Sequence, residues 1–258
     1  MQSDILAGDD PAFARAWQDS LAAAGVRRSV LLASTFRSGS TRIAWNLAGN
    51  GLPGLDQERF TEMWRFAGPG RDDALAAALG AIVEAGVAGS GVFTSKVMWP
   101  HLRYLLSAAR LGRATAPALA ALFEPVTWIH VVRQDKIGQA ISFWRAKQSG
   151  RWHVFANESE PDVPYDYRAI LDCLQELEHD DRLWTDFFAV CGLTPIQVAY
   201  EAYEADVAGQ LGALLAALGM QATEKLELAV PLRRQRDGFS AEIRERVLDE
   251  FYQVGVPG

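Results

Sequence analysis

The chain has 258 residues, enough to bury roughly three quarters of its unfolded surface without disulfide or metal staples. Lys and Arg total 25 against 32 Asp and Glu, a net charge of −7. That balance argues against non-specific nucleic-acid binding and against coating of an anionic membrane. Only four of the 25 basic residues are Lys (Lys96, Lys136, Lys147 and Lys225). Arginine forks suit anionic ligands, so the placement of the arginines decides whether the bias has a function.

Residues 11–24 have the period of an amphipathic helix with Pro11 in its first turn. Arg28 to Ser34 is a short, branched apolar run and is predicted as a buried strand. It stops at Thr35-Phe36-Arg37-Ser38-Gly39-Ser40-Thr41, and a helix resumes until Asn50-Gly51. A helix over 72–87, a strand over 91–97 and helices over 101–111 and 115–123 follow. The third strand, Val126 to Val132, leads into a helix from about Gln134 to Gln148. A long helix with an acidic side covers 166–191, then a strand covers 196–200 and a helix 205–218. Strands alternating with helices predict an α/β fold with a central parallel sheet flanked by helices. We expect one domain over 1–258. In such sheets ligands bind beyond the carboxyl ends of the strands. That singles out Thr35 to Thr41, Lys96 to Trp99, Arg133 to Lys136, and Tyr200-Glu201.

The two cysteines, Cys173 and Cys191, stand apart and the four histidines are scattered. No metal site is expected from them, and two free thiols fit a reducing compartment. The N-terminus lacks a long apolar stretch, and no run approaches the ~18 residues of a membrane span. A cytoplasmic location is therefore expected.

The first strand exit is suited to an anion. Gly39 permits a tight turn, Ser38, Ser40 and Thr41 carry hydroxyls, and Arg37 carries charge at the opening of a helix. An ordinary Ser/Thr-capped helix is the competing reading. The loop has neither the Gly-Lys-[Ser/Thr] of nucleotide hydrolases nor a Gly-x-Gly-x-x-Gly. The third strand exit opens a basic stretch, Arg133, Lys136, Arg145, Lys147 and Arg151, opposed locally only by Asp135. Gly138, Ser142 and Arg145 share one helix face, while Ile137, Ile141 and Trp144 share another that is expected to pack on the sheet. A third basic knot is Arg233-Arg234-x-Arg236. Arg110 and Arg244 fall outside any motif.

Together, Thr-x-Arg-Ser-Gly-Ser-Thr and Val-Arg-Gln-Asp-Lys-x-x-Gln-Ala-x-Ser-x-Trp-Arg-Ala resemble the bacterial trehalose 2-sulfotransferase family, whose donor is 3′-phosphoadenosine-5′-phosphosulfate (PAPS). The likeness extends through 51–60, 92–99, 150–152 and 232–235. It implies a phosphosulfate-binding strand–loop–helix related to nucleotide-kinase P-loop folds. It implies that Arg37, Ser38, Gly39, Ser40 and Thr41 cradle the 5′-phosphosulfate, with Arg37 stabilising the leaving phosphate. Arg133 and Ser142 would hold the 3′-phosphate, and Arg233, Arg234 and Gln235 would cover the cofactor. Glu58 matches the family's general base; His101 and His153 are rival bases. The product would be adenosine 3′,5′-bisphosphate, no metal would be required, and the protein would be a homodimer. The chain departs from the family's residues at Phe36, Arg42, Asp56 and Arg59, and the last three flank the acceptor side.

Sugars often stack on indole faces, and Trp45, Trp64, Trp99, Trp144 and Trp152 lie in or near the motifs. We therefore expect a sugar or glycolipid hydroxyl as acceptor, contacted by residues among Arg59, Lys96, Trp99, Trp144, Trp152 and His153. An ATP-dependent kinase and a non-catalytic nucleotide-binding protein remain the alternatives.

Overall fold

A computed structural model describes residues 11–66, 72–152, 163–220, 226–228 and 238–254. The strands are β1 (Arg28–Ser34), β2 (Val92–Met98), β3 (Val126–Val132) and β4 (Ile196–Ala199). All pairings are parallel, and the order is β2-β1-β3-β4. The chain goes from β1 outward to β2, then crosses back to place β3 on the other side of β1. Strand order therefore reverses between β1 and β3, where an open parallel sheet leaves a crevice for ligands.

The helices are α1 (Pro11–Ala23), α2 (Ser40–Gly49), α3 (Asp72–Val87), α4 (Trp99–Ala108), α5 (Ala116–Leu122), α6 (Lys136–Ser149), α7 (Tyr167–Val190), α8 (Tyr200–Ala205), α9 (Val207–Ala217) and α10 (Gly238–Val254). Because strand side chains alternate, β1 serves two cores. Leu31 and Ala33 face α1, α3, α4, α5 and α7, with Trp17, Phe93, Trp128 and Trp184 at the centre. Val30 and Leu32 face α2 and α9, packed on Ile43, Leu47, Leu211 and Leu215. Trp184 also ties α7 to the site-bearing strand, its Nε1 donating to Ser34 O at 3.0 Å.

Four features differ from expectation. The Ile141/Trp144 face of α6 does not pack on the sheet; it meets Ile170, Cys173 and Leu177 of α7 and Ile243 and Val247 of α10. The expected helix over 205–218 begins later, because Asp206 caps α9 by accepting from Gly209 N at 3.0 Å. Tyr200 opens the separate α8 instead of ending β4. Finally, α10 was not expected at all; its Ile243 and Val247 pack in the same cluster as Ile141 and Trp144 of α6.

Among the described residues, no helix is long and apolar enough to cross a membrane. No group of three or more His, Cys, Asp or Glu is arranged to hold a metal.

Asp180 of α7 is 6% exposed. Burial, with Glu176 close by, pushes its carboxyl up to about 7. The folded state thus holds a proton that the unfolded chain releases near pH 4, and stability falls as pH rises between those values. Asp180→Asn is expected to raise stability by about 2 kcal/mol at pH 8, with a gain that shrinks toward pH 4. Urea unfolding across that range measures it, and an equal effect at every pH would contradict the assignment.

Candidate functional site

The strand exits converge on a cavity of about 1560 Å³ lined by the 36–42 loop, the 56–61 segment, the end of β2, the start of α6, α8 and α10. Its floor is the turn after β1. Arg37 (φ 59°) and Gly39 (φ 87°) both adopt left-handed backbone, which turns the chain sharply enough to start α2 beneath the crevice. Gly39 is the residue before α2, and no side chain caps that helix. The competing Ser/Thr-capped reading is thereby excluded, and the opening N–H groups remain available to an anion. A Cβ on Gly39 would lie 2.0 Å from Tyr200 Cδ2, so glycine is required by contact as well as by φ.

The two loops at the reversal point are joined. Arg133 Nη1 donates to Arg37 O at 3.0 Å. Arg37 Nε donates to Ser142 Oγ at 3.0 Å, and its Nη1 to Trp152 O. The Arg133 guanidinium lies 5.1 Å from the centre of the Tyr200 ring. Glu201 accepts from the backbone N–H groups of Gln134 and Asp135, both at 3.1 Å, holding the β3–α6 turn against α8. Gln139 braces the first loop by donating to Phe36 O at 2.7 Å and Thr35 Oγ1 at 3.0 Å.

A second group surrounds Glu58. The 52–61 segment is pinned to β2: Lys96 N donates to Gln57 O at 2.9 Å, and Arg59 N to Ser95 Oγ at 3.4 Å. This places Glu58 Oε1 2.9 Å from Lys96 Nζ, which also donates to Thr41 Oγ1 at 3.0 Å. Lys96 is 2% exposed. A single buried ammonium thus connects the carboxylate to the anion loop. His101 Nε2 lies 3.7 Å from Glu58 Oε2, while its Nδ1 accepts from Met98 N at 3.5 Å. Burial, outweighing Glu58 and helped by Lys96, holds His101 below its ordinary pKa. A neutral ring accepting at Nδ1 carries its proton on Nε2, pointed at Glu58. His101 therefore turns an N–H, not a lone pair, toward Glu58, at a distance beyond a hydrogen bond.

Several expected site residues lie elsewhere. Trp144 is 1% exposed, inside the α6/α7/α10 core. Trp99 stacks edge-on against Trp184 and does not line the cavity. Arg59 turns inward, its Nη2 3.5 Å from Gly54 O, and does not line the cavity either. Ser38 is fully buried, with no hydrogen-bond partner for Oγ among the described residues, and is also absent from the lining. Arg37, Gly39, Ser40, Thr41, Glu58, Lys96, Arg133, Ser142 and Trp152 do line it. His153, Arg233, Arg234 and Gln235 lie outside the described residues.

The basic stretch 133–151 is not without acidic partners. Lys136 pairs with Asp181, and Lys147 with Glu176 at 2.6 Å, both supplied by α7. Among the cavity-wall residues that the motifs did not assign to the site are Glu204, Arg244 and Asp135. Arg42 Nη1 donates to both carboxylate oxygens of Glu204, at 2.7 and 2.6 Å. Asp135 carried a signal in its N-cap position before α6; Arg244 carried none.

The sequence model of the Stf0 sulphotransferase family matches residues 29–250. The chain is similar to the trehalose 2-sulfotransferase of Mycobacterium tuberculosis (strain ATCC 35801 / TMC 107 / Erdman), 29% identical over 89% of this chain and 98% of that one. It is similar also to the enzyme of the same name from Mycolicibacterium smegmatis (strain ATCC 700084 / mc(2)155), 28% identical over 88% and 97%. A sulfotransferase domain from the curacin biosynthetic pathway aligns at 17% identity and a TM-score of 0.48, over 89% of this chain and 92% of that one. That likeness is too distant to add to a fold already defined by the strand register. The matched stretch contains every strand and both residue groups facing the cavity, and on that footing the chain belongs to the Stf0 sulphotransferase family.

Proposed function

We propose that this chain transfers a sulfuryl group from PAPS to a hydroxyl of a neutral sugar, with trehalose as the first acceptor to test. The observation that carries the reading is Lys96 Nζ, within 3.0 Å of both Glu58 and Thr41. It puts a proton acceptor beside an anion-binding helix start, as an in-line transfer to a hydroxyl requires.

The residues fit the donor's anionic groups. The uncapped start of α2 and Arg37 suit the 5′-phosphosulfate; Arg133 and Ser142 suit the 3′-phosphate. PAPS, when bound, supplies an activated sulfuryl group with a phosphate as its leaving group. Glu58 accepts the proton of the attacking hydroxyl, since an alcohol is a weak nucleophile near neutral pH. Lys96 holds the carboxylate in position, with the His101 ring beside it. Arg37 and the α2 amides stabilise charge on the departing oxygen as fixed dipoles and charges.

A neutral acceptor follows from the arginines. Arg59 is turned away from the cavity, and Arg42 is neutralised by Glu204. Asp56 and Glu58 both face the cavity, with Gln57 Nε2 donating to Asp56 Oδ2 at 2.7 Å. Carboxylates and an amide beside Trp45 and Trp152 suit sugar hydroxyls and ring faces and disfavour an anionic acceptor.

Calorimetry with adenosine 3′,5′-bisphosphate and adenosine 5′-monophosphate tests the donor. Wild type is expected to favour the bisphosphate, and Arg133→Ala to weaken it by about 10- to 100-fold while changing the monophosphate little. No binding of the bisphosphate at millimolar concentration rejects the PAPS reading. Magnesium-dependent ATP turnover would support a kinase instead. Bisphosphate binding without sulfate transfer to any sugar tested would support a non-catalytic protein.

A further inference from the structure

Arg244 lies in no motif, yet the fold brings it into the cavity wall. Its helix is docked on α6 through Ile243 and Val247, which pack with Ile141 and Trp144. Arg145, 4% exposed, donates from Nη1 to Ser240 Oγ at 2.9 Å and sets the register of that docking. One turn beyond Ser240, Arg244 Nη1 reaches Asp135 Oδ1 at 2.6 Å. The other oxygen of the same carboxylate lies 3.8 Å from Arg133 Nη2. Asp135 is itself fixed, because Oδ1 accepts the Gly138 N–H at 3.1 Å. Two guanidinium groups therefore flank one carboxylate at the edge of the cavity. The Arg244 side chain is 40% exposed, against 11% for Arg133. Its remaining N–H groups have room to meet a ligand without leaving Asp135.

We propose that Arg244 is a second binding residue for the 3′-phosphate of the nucleotide, reaching from α10 to the anion that Arg133 holds from the β3–α6 turn. This rests on the PAPS reading given above. Asp135 serves as the common anchor that aims both forks. Burial would raise its carboxyl, but the hydrogen bonds from Arg244 and Gly138, with Arg133 nearby, hold it below the usual carboxylate value. It stays ionised and keeps both arginines oriented. A phosphate oxygen between two guanidiniums is a charge-assisted geometry that a nucleotide lacking the 3′-phosphate cannot use.

The test compares wild type, Arg244→Ala and Arg244→Lys, using the full chain and calorimetry with adenosine 3′,5′-bisphosphate and adenosine 5′-monophosphate. Arg244→Ala is expected to weaken the bisphosphate by about 10- to 100-fold and the monophosphate by less than about threefold. Arg244→Lys, which keeps the charge but not the fork, is expected to recover part of the loss. Thermal unfolding of each variant is recorded alongside. If the ratio of the two affinities stays at the wild-type value, the proposal is wrong, whether both affinities hold or both fall with the melting point. Arg244 then only ties α10 to Asp135. If wild type itself binds no bisphosphate, the donor reading fails and takes this proposal with it. That failure is visible in wild type, whereas the first appears only in the variants.

Discussion

Glu58→Gln is expected to lower turnover by about 10²- to 10⁴-fold while leaving affinity for adenosine 3′,5′-bisphosphate nearly unchanged. The amide keeps the shape of the side chain and one oxygen for Lys96, but it cannot take a proton from an attacking hydroxyl. Its surroundings make the loss hard to bypass. His101 has its Nδ1 engaged by Met98 N and its Nε2–H turned toward Glu58, so its ring offers no open lone pair there. Lys96 lies between Glu58 and Thr41, and a neutral partner at position 58 leaves that ammonium still bound to the anion loop. Nucleotide binding should therefore survive the change. Steady-state transfer to trehalose, read together with calorimetry, separates the two quantities. Undiminished turnover would show that Glu58 is not the base.

Gly39→Ala is expected to weaken nucleotide binding by roughly 100-fold and to destabilise the fold by about 1–2 kcal/mol. Two penalties coincide at this position. The backbone at φ 87° disfavours any side chain, and the new Cβ would lie 2.0 Å from Tyr200 Cδ2 and 2.4 Å from Cε2. The Tyr200 ring underlies Arg133, which in turn holds Arg37 O. Displacing the ring therefore disturbs the turns after β1 and β3 at once. Adding Tyr200→Ala removes the clash and leaves the φ penalty, so the double variant should regain part of the stability. Wild-type affinity in Gly39→Ala would refute the close approach.

The strands were legible because each is a short branched apolar run ending at a polar turn, and such a run has few ways to satisfy its backbone except in a buried sheet. The loop from Thr35 to Thr41 was legible for a similarly local reason: glycine, hydroxyls and an arginine at a strand-to-helix junction. What misled was the assumption that neighbours in sequence supply the partners. Lys136 and Lys147 look unopposed along α6, but α7 crosses beside them with Asp181 and Glu176. Trp144 and Arg59 sit among the motif residues yet turn into the interior, since a helix face or a loop side chain takes its direction from what packs on it. Glu58 and Arg133, to which the family likeness pointed, both line the cavity, but the likeness carried no information on which of their neighbours hold them there.

Periodicity and turn chemistry act over a few residues, and over that range the residues of this chain specify strands, most helices, the parallel α/β class and a strand-to-helix turn rich in hydroxyls. Contacts that assemble the cavity span far greater distances along the chain: 55 residues from Lys96 to Thr41, 105 from Arg37 to Ser142 and 109 from Arg244 to Asp135. No local pattern encodes such pairs. They arise because the strand order reverses beside β1 and because α10 buries its apolar side against α6. A net charge of −7 is likewise a sum that hides its arrangement. Arg37, Arg42, Lys96, Arg133 and Arg244 meet Asp56, Glu58, Asp135, Glu201 and Glu204 in the described cavity wall. Folding sorts those charges around an open helix start, an arrangement that no excess of arginine in the composition could specify.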